Sequence, residues 1–301
     1  MRFTIIVVIL LSALIVSCRT DGRSLAADKT SGNSPQAKAK FTDQKLNEIS
    51  GIAASRKNKN VFWVHNDSGD KAQIFAISED GQLLCTIQMP GIEAQDWEDI
   101  AIGPGPEQDS SYIYIGDIGD NQAKRDIKTI YRIMERDLSS VKTGAVLIEM
   151  AVDAIHFRFP DGSRDAETLM SDPLTGDLYI VSKRENQVGV YRLAFPQTTK
   201  EILTAAFQLK LPVTQVTAGD ISIDGRHILL KNYEQIFYWS RDDGQSIKDA
   251  LKNFPHFLNY MTEPQGEAIC FSPDLDGYYT ISEMANKGYT ILYFYPFQFK
   301  E

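Results

Sequence analysis

The sequence predicts an all-β chain folded as a β-propeller of five blades, each of four antiparallel strands, with six blades as the alternative count. Three observations predict it. An acidic residue followed by an apolar pair recurs along the chain. A similar series of short strand-like runs follows each copy. The last copy is one strand short, while a spare strand precedes the first copy and can close the ring.

The chain opens on an address rather than a fold. Met1-Arg2 is followed by an apolar run from Phe3 to Val16, broken only by Thr4 and Ser12, and then by Ser17-Cys18. A positive charge, a short apolar stretch and small residues make a secretory signal. The run is shorter than the ~20 residues that span a bilayer. Ile15-Val16-Ser17-Cys18 resembles the bacterial lipobox, which implies cleavage before Cys18 and a diacyl lipid on its sulfur. A protein so anchored belongs to the cell envelope, outside the cytoplasm. Residues 19–40 are rich in Ser, Gly, Ala, Asp and Lys and hold no aromatic side chain. Such a stretch buries too little apolar surface to offset its ordering entropy, so it reads as a flexible tether. Residues 41–301 then form a single propeller domain.

Within that domain the repeated acids are Glu48, Glu98, Glu167, Asp220 and Glu267, at intervals of 50, 69, 53 and 47 residues. Each precedes an apolar inner strand. A second β-rich run follows at 61–64, 112–115, 178–181, 227–230 and 278–281, and a third at 73–77, 129–133, 189–193, 235–239 and 290–294. Aromatic and β-branched residues dominate both, as strands require. Asp-Gly and Pro-Asp turns separate several of them. A fourth strand lies at 84–88, 155–159, 207–211 and 257–260. The fifth repeat lacks one, and residues 41–46 supply it. The six-bladed alternative needs the long second repeat to hide a blade. Residues 244–253 read as a helical insertion in the fourth blade.

Propeller topology brings the start of each first strand to the same face as the end of each second strand. The acids would thus gather at one mouth of the channel with Asp67, Asp117, Lys183, Lys231 and Glu283. The neighbouring polar residues Asp99, Asp120, Asn121 and Arg184 join them as candidate ligand contacts. Clustered carboxylates repel, so they raise their own pKa values or take a counterion. Converging oxygens suit a hard cation, above all Ca²⁺. Lys183, Arg184 and Lys231 could neutralise the ring instead, or hold an anionic substrate. A second use of the repeated acids is structural: each can cap backbone N–H groups of the adjoining blade.

Composition narrows the partners. The net charge is −9, which repels phosphate backbones and argues against nucleic acid. A small molecule, a glycan or a protein fits better. Three cysteines give no disulfide framework, and Cys85 and Cys270 read as buried thiols. The four histidines have no zinc spacing. His65, at the mouth, could act as a base only with an acid such as Asp67 or Asp117 in reach. Trp63, Trp97 and Trp239 read as core between sheets.

Asp96-Trp97-Glu98-Asp99-Ile100-Ala101, residues 116–121 (Gly-Asp-Ile-Gly-Asp-Asn) and Asp165-Ala166-Glu167-Thr168-Leu169 together resemble a family of uncharacterised bacterial secreted β-propeller proteins. Gly219-Asp220-Ile221-Ser222 and Gln265-Gly266-Glu267 fit the same family. The resemblance covers most of residues 45–285 and implies a fold and a secreted location without an activity. More distantly the chain is similar to phytase-like and SdiA-regulated propellers. The phytase likeness implies calcium at the channel mouth and phosphate-ester hydrolysis. The sequence carries the acids but no dense basic cluster for a polyphosphate. Two functions follow as expectations: a cation-binding envelope protein, or a calcium-dependent hydrolase of phosphate or other esters.

Overall fold

In a computed structural model, residues 34–67 and 69–299 of the protein are described. Cys18, the signal segment and most of the expected tether lie outside them. Five separate sheets carry nearly all the regular structure. Their inner strands, in chain order, are Ile49–Ala54, Trp97–Pro104, Ala166–Ser171, Val216–Ile221 and Ala268–Phe271. Each inner strand touches the next, and the first touches the last, so the sheets form a closed five-bladed propeller.

Burial follows strand position. Inner and second strands lie between neighbouring sheets and read as continuous apolar runs: Val61–Asn66 and Leu178–Ser182 are buried throughout. Outer strands show the half-exposed alternation of a sheet edge. In Asp153–Arg158, Ile155 and Phe157 are buried while His156 and Arg158 are exposed. An apolar core fills each gap between sheets. Phe62 and Phe75 of the first blade meet Tyr279, Leu292 and Phe294 of the fifth, and Trp63, Ile74 and Cys85 meet Ile100, Ile113 and Ile133 of the second. Trp97 and Trp239 are buried in such cores as well, and Cys85 and Cys270 are buried free thiols.

The ring is closed by Gln36–Phe41, which pairs antiparallel with Thr290–Pro296 and supplies the fifth blade's fourth strand. The closing strand therefore lies earlier than the expected 41–46, and residues 36–40 are strand rather than tether. Residues 44–46 form a 3-10 turn instead, capped by the Asp43 side chain, which accepts from the Lys45 N–H. Alternation explains the shift: Ala39 and Phe41 point into the core while Lys38 and Lys40 do not. The long second repeat hides no sixth blade. Its extra length runs out to Ala145–Ile148, which adds a parallel fifth strand to the outer edge of the first blade. Leu203–Thr204 straps the second blade in the same way. The helix Ile247–Ala250, N-capped by Ser246, is the expected insertion in the fourth blade.

Phe41 anchors the closure, and removing its buried ring in Phe41→Ala should cost about 3–5 kcal/mol in urea unfolding. A loss below ~1 kcal/mol would show that this strand does not hold the ring together.

Candidate functional site

The site is built by an irregularity that repeats. In four blades the ladder between first and second strands slips by one residue at its start, between Ile49 and Gly51, Trp97 and Asp99, Ala166 and Thr168, and Val216 and Ala218. A bulge of this kind leaves one residue unpaired and re-aims its side chain. The residues so released are Ser50, Glu98, Glu167 and Thr217. In the fifth blade the ladder begins at Ala268 opposite Ile281, which leaves Glu267 in the same place.

The expected ring of five equivalent acids is therefore three acids, Glu98, Glu167 and Glu267, with Ser50 and Thr217 completing the tier. Glu48 stands two residues earlier, in register with Asp96 and Asp165. These residues form an outer tier whose carbonyls accept from the loops after the second strands: Glu48 from the Asp67 N–H at 2.8 Å, Asp96 from Gly119 at 3.2 Å and Asp165 from Lys183 at 3.1 Å. Asp220 stands three residues past the bulge and leaves the mouth altogether. Its Oδ2 accepts the Phe271 N–H of the next blade at 2.9 Å. Asp99 does the same between its neighbours, accepting from Leu169 N–H at 2.9 Å through Oδ2. These two acids cap inner strands.

At the mouth, carboxylate oxygens of Glu98, Asp165 and Glu167 lie within 4.8 Å of one another, and those of Asp67, Asp96 and Glu98 do likewise. Glu98 belongs to both groups. Its position depends on Gly119, where an added Cβ would lie 2.0 Å from Glu98 Oε1 and 2.6 Å from Asp96 Cγ. Lys183 crosses the opening: its Nζ donates to Glu167 Oε1 and, at 3.0 Å, to the Tyr233 hydroxyl. Tyr233 in turn donates to Glu267 Oε1 at 2.5 Å. Glu167 Oε2 is buried with no hydrogen-bond partner.

The electrostatics are those of too much negative charge in too little water. Burial, then the neighbouring acids, hold Glu98 well above the ordinary carboxylate range. Burial pushes Glu167 up to about 8 against the pull of Lys183. Asp96 rises to about 6 and Glu283 to about 7, through burial and then the charges around them. Burial alone would lower Lys183, but the Glu167 carboxylate outweighs it and keeps the ammonium charged.

The remaining expected contacts have other duties or other places. Asp117 accepts from Arg125 Nη2 at 2.6 Å and from the Gln95 and Asp96 N–H groups. Asp120 receives Lys128 at 2.9 Å and, through its own N–H, donates to Asp165 Oδ1 at 2.7 Å. Arg184 Nε donates to Asp165 Oδ2 at 2.5 Å. Together these bonds fix the outer tier. Asn121 is exposed in the turn beyond. Lys231 is fully buried, with its Nζ donating to the carbonyls of Gly266 and Asn232 and lying 4.4 Å from the centre of the Tyr260 ring. Burial lowers it to about 8 against the pull of Glu263 and Glu267; its Nζ is already committed to backbone carbonyls. His65 is buried against Trp97, its Nδ1 2.8 Å from the Asn66 carbonyl, and burial lowers its pKa.

Asp96 and Asp165 were not among the residues expected at the site, and Gly119 and Tyr233, in loops expected at the mouth, had no role assigned. One signal pointed to the first two: Asp96-Trp97-Glu98 and Asp165-Ala166-Glu167 share an acid-x-acid spacing that straddles the bulge. No protein-family model and no curated protein matches this sequence.

Carboxyls whose pKa values are raised on folding keep protons that the unfolded chain has released, so they weaken the fold as pH climbs from the ordinary carboxylate range through about 8. In chelator, Glu167→Gln should lose less melting temperature than the parent between about pH 5 and about pH 8. Parallel pH profiles for the two proteins would contradict this charge balance.

Proposed function

We propose that this protein is a lipid-anchored envelope propeller that binds a hard divalent cation, calcium, at its acidic mouth. The loaded mouth would serve as the contact for a small molecule, glycan or protein. The observation that carries the reading is Glu167: its Oε2 is buried without a hydrogen-bond partner, on a carboxyl that groups with those of Glu98 and Asp165. A buried polar atom without a partner costs about 1–3 kcal/mol, which a ligand recovers. The donor set is all oxygen, with carboxylates from two blades and the Asp67 loop, and calcium takes about 6–8 such ligands. A divalent charge would also return Glu98 and Glu167 to their ionised forms, offsetting the repulsion that burial imposes. Attachment outside the cytoplasm rests on residues 1–18 and Cys18, and a calcium-rich exterior suits the site.

The alternative, a calcium-dependent hydrolase of phosphate or other esters, has less behind it. The cations it would use on an anionic substrate are committed elsewhere: Lys231 to buried carbonyls, Arg184 to Asp165 and Lys183 to Glu167.

Calcium binding only to the folded state must raise the melting temperature, by about 2.7 kcal/mol of stability at a hundred times Kd. At about 2–4 °C per kcal/mol for a domain of this class, the shift is readily measured by thermal unfolding. Glu98→Gln should abolish it, because Glu98 serves both carboxylate groups. Asp220→Asn should keep it. An unshifted parent in millimolar calcium, or an equal shift in Glu98→Gln, would refute the proposal.

Gly119→Ala gives a second reading. The new Cβ displaces the Glu98 and Asp96 carboxylates, so calcium affinity should fall about tenfold or more while the cation-free unfolding transition stays cooperative. Unchanged calcium affinity would remove Glu98 and Asp96 from the site.

A further inference from the structure

A groove of about 310 Å³ lies on the outer part of the first blade, separate from the carboxylate groups at the mouth. That volume is at the lower end of the range for small-ligand pockets. Its lining is dominated by carboxamides, and their hydrogen bonds run in one direction. Gln88 Nε2 donates to Gln73 Oε1 at 3.3 Å, and Gln73 Nε2 donates to both Asp70 oxygens at 3.1 Å. Asn66 Nδ2 donates to Asp70 Oδ2 at 2.9 Å and to the Lys45 carbonyl at 2.8 Å.

Two consequences follow. The amide N–H groups of Asn66 are spent on protein, while its Oδ1 is buried with no hydrogen-bond partner, on a residue only 4% exposed. Asn66 lines the groove, so a ligand hydroxyl that reaches its side chain meets an acceptor with no other partner. Asp70 is saturated by these amides and by the Lys71 N–H at 2.7 Å. Lys45 and Lys71 stand against this single acid among the lining residues, which puts two ammonium groups within the groove's reach on a chain of net charge −9. Val146, 54% exposed at one edge, supplies an apolar patch.

We propose that this groove binds an acidic sugar of the hexuronate class. A ring hydroxyl donates to Asn66 Oδ1, other hydroxyls meet the Gln73 and Gln88 amides, the carboxylate meets Lys45 or Lys71, and the C–H face lies on Val146. A planar carboxamide pairs well with hydroxyls, and the lysines distinguish an acidic sugar from a neutral one.

The test is saturation-transfer NMR on the mature chain with glucuronate and with glucose, in chelator so that a carboxylate cannot be held through calcium at the mouth. Glucuronate should bind in the millimolar range and glucose about tenfold more weakly, the margin of one charge-assisted contact. The double variant Lys45→Gln/Lys71→Gln, altering two exposed side chains, should erase that preference, and Glu98→Gln should leave it intact. No transfer to glucuronate, equal binding of the two sugars, or a preference that survives the double variant would overturn the proposal.

Discussion

Where an inner strand begins, its ladder skips a residue, and the side chain so freed is no longer committed to the gap between sheets. Rotational repetition does the rest. Because neighbouring inner strands are in contact around the ring, side chains freed in successive blades come within a few ångströms of one another. Glu98 and Glu167 are 69 residues apart in sequence yet share one group of oxygens. The chemistry of the mouth depends on that slip, since a regular ladder would have paired these positions and turned them toward neighbouring sheets.

The cost of gathering acids is met in two different ways. Around the outer tier some acids are neutralised by protein: Asp165 by Arg184, and beside it Asp120 by Lys128 and Asp117 by Arg125. The inner tier is not. Lys183 lies among Glu98, Glu167 and Glu267, and one ammonium cannot balance three carboxylates. Their raised proton affinity is the physical result. An under-neutralised inner tier beside acids already fixed by their own hydrogen bonds suits a cation site with preset geometry, since ligands so held need little reordering on binding.

Most of the architecture was legible in the sequence because a propeller repeats its own pattern. Strand runs such as 178–181 and 278–281 fell where expected, as did the helix near residue 247. The closing strand was misplaced because its Ala-Lys alternation is too weakly apolar to stand out from a tether; only its pairing with Thr290–Pro296 reveals it. At the site, matching an acid to a following apolar pair aligned Glu98, Glu167 and Glu267 correctly. It failed for Glu48 and Asp220, where Ser50 and Thr217 occupy the bulge. A slip of one residue moves a side chain to the other face of a strand, and composition carries no mark of it. Lys231 was drawn to the mouth by its position near the end of a strand. The register turns it inward instead, where Gly266 and Tyr260 hold it.

The most direct test of the central claim is anomalous diffraction from crystals of the mature chain grown with calcium or a lanthanide in its place. A cation peak within about 2.3–2.6 Å of oxygens from Glu98, Asp165 and Glu167 is the expected result. Saturated crystals with density only at other positions, and none between those three carboxylates, would contradict it.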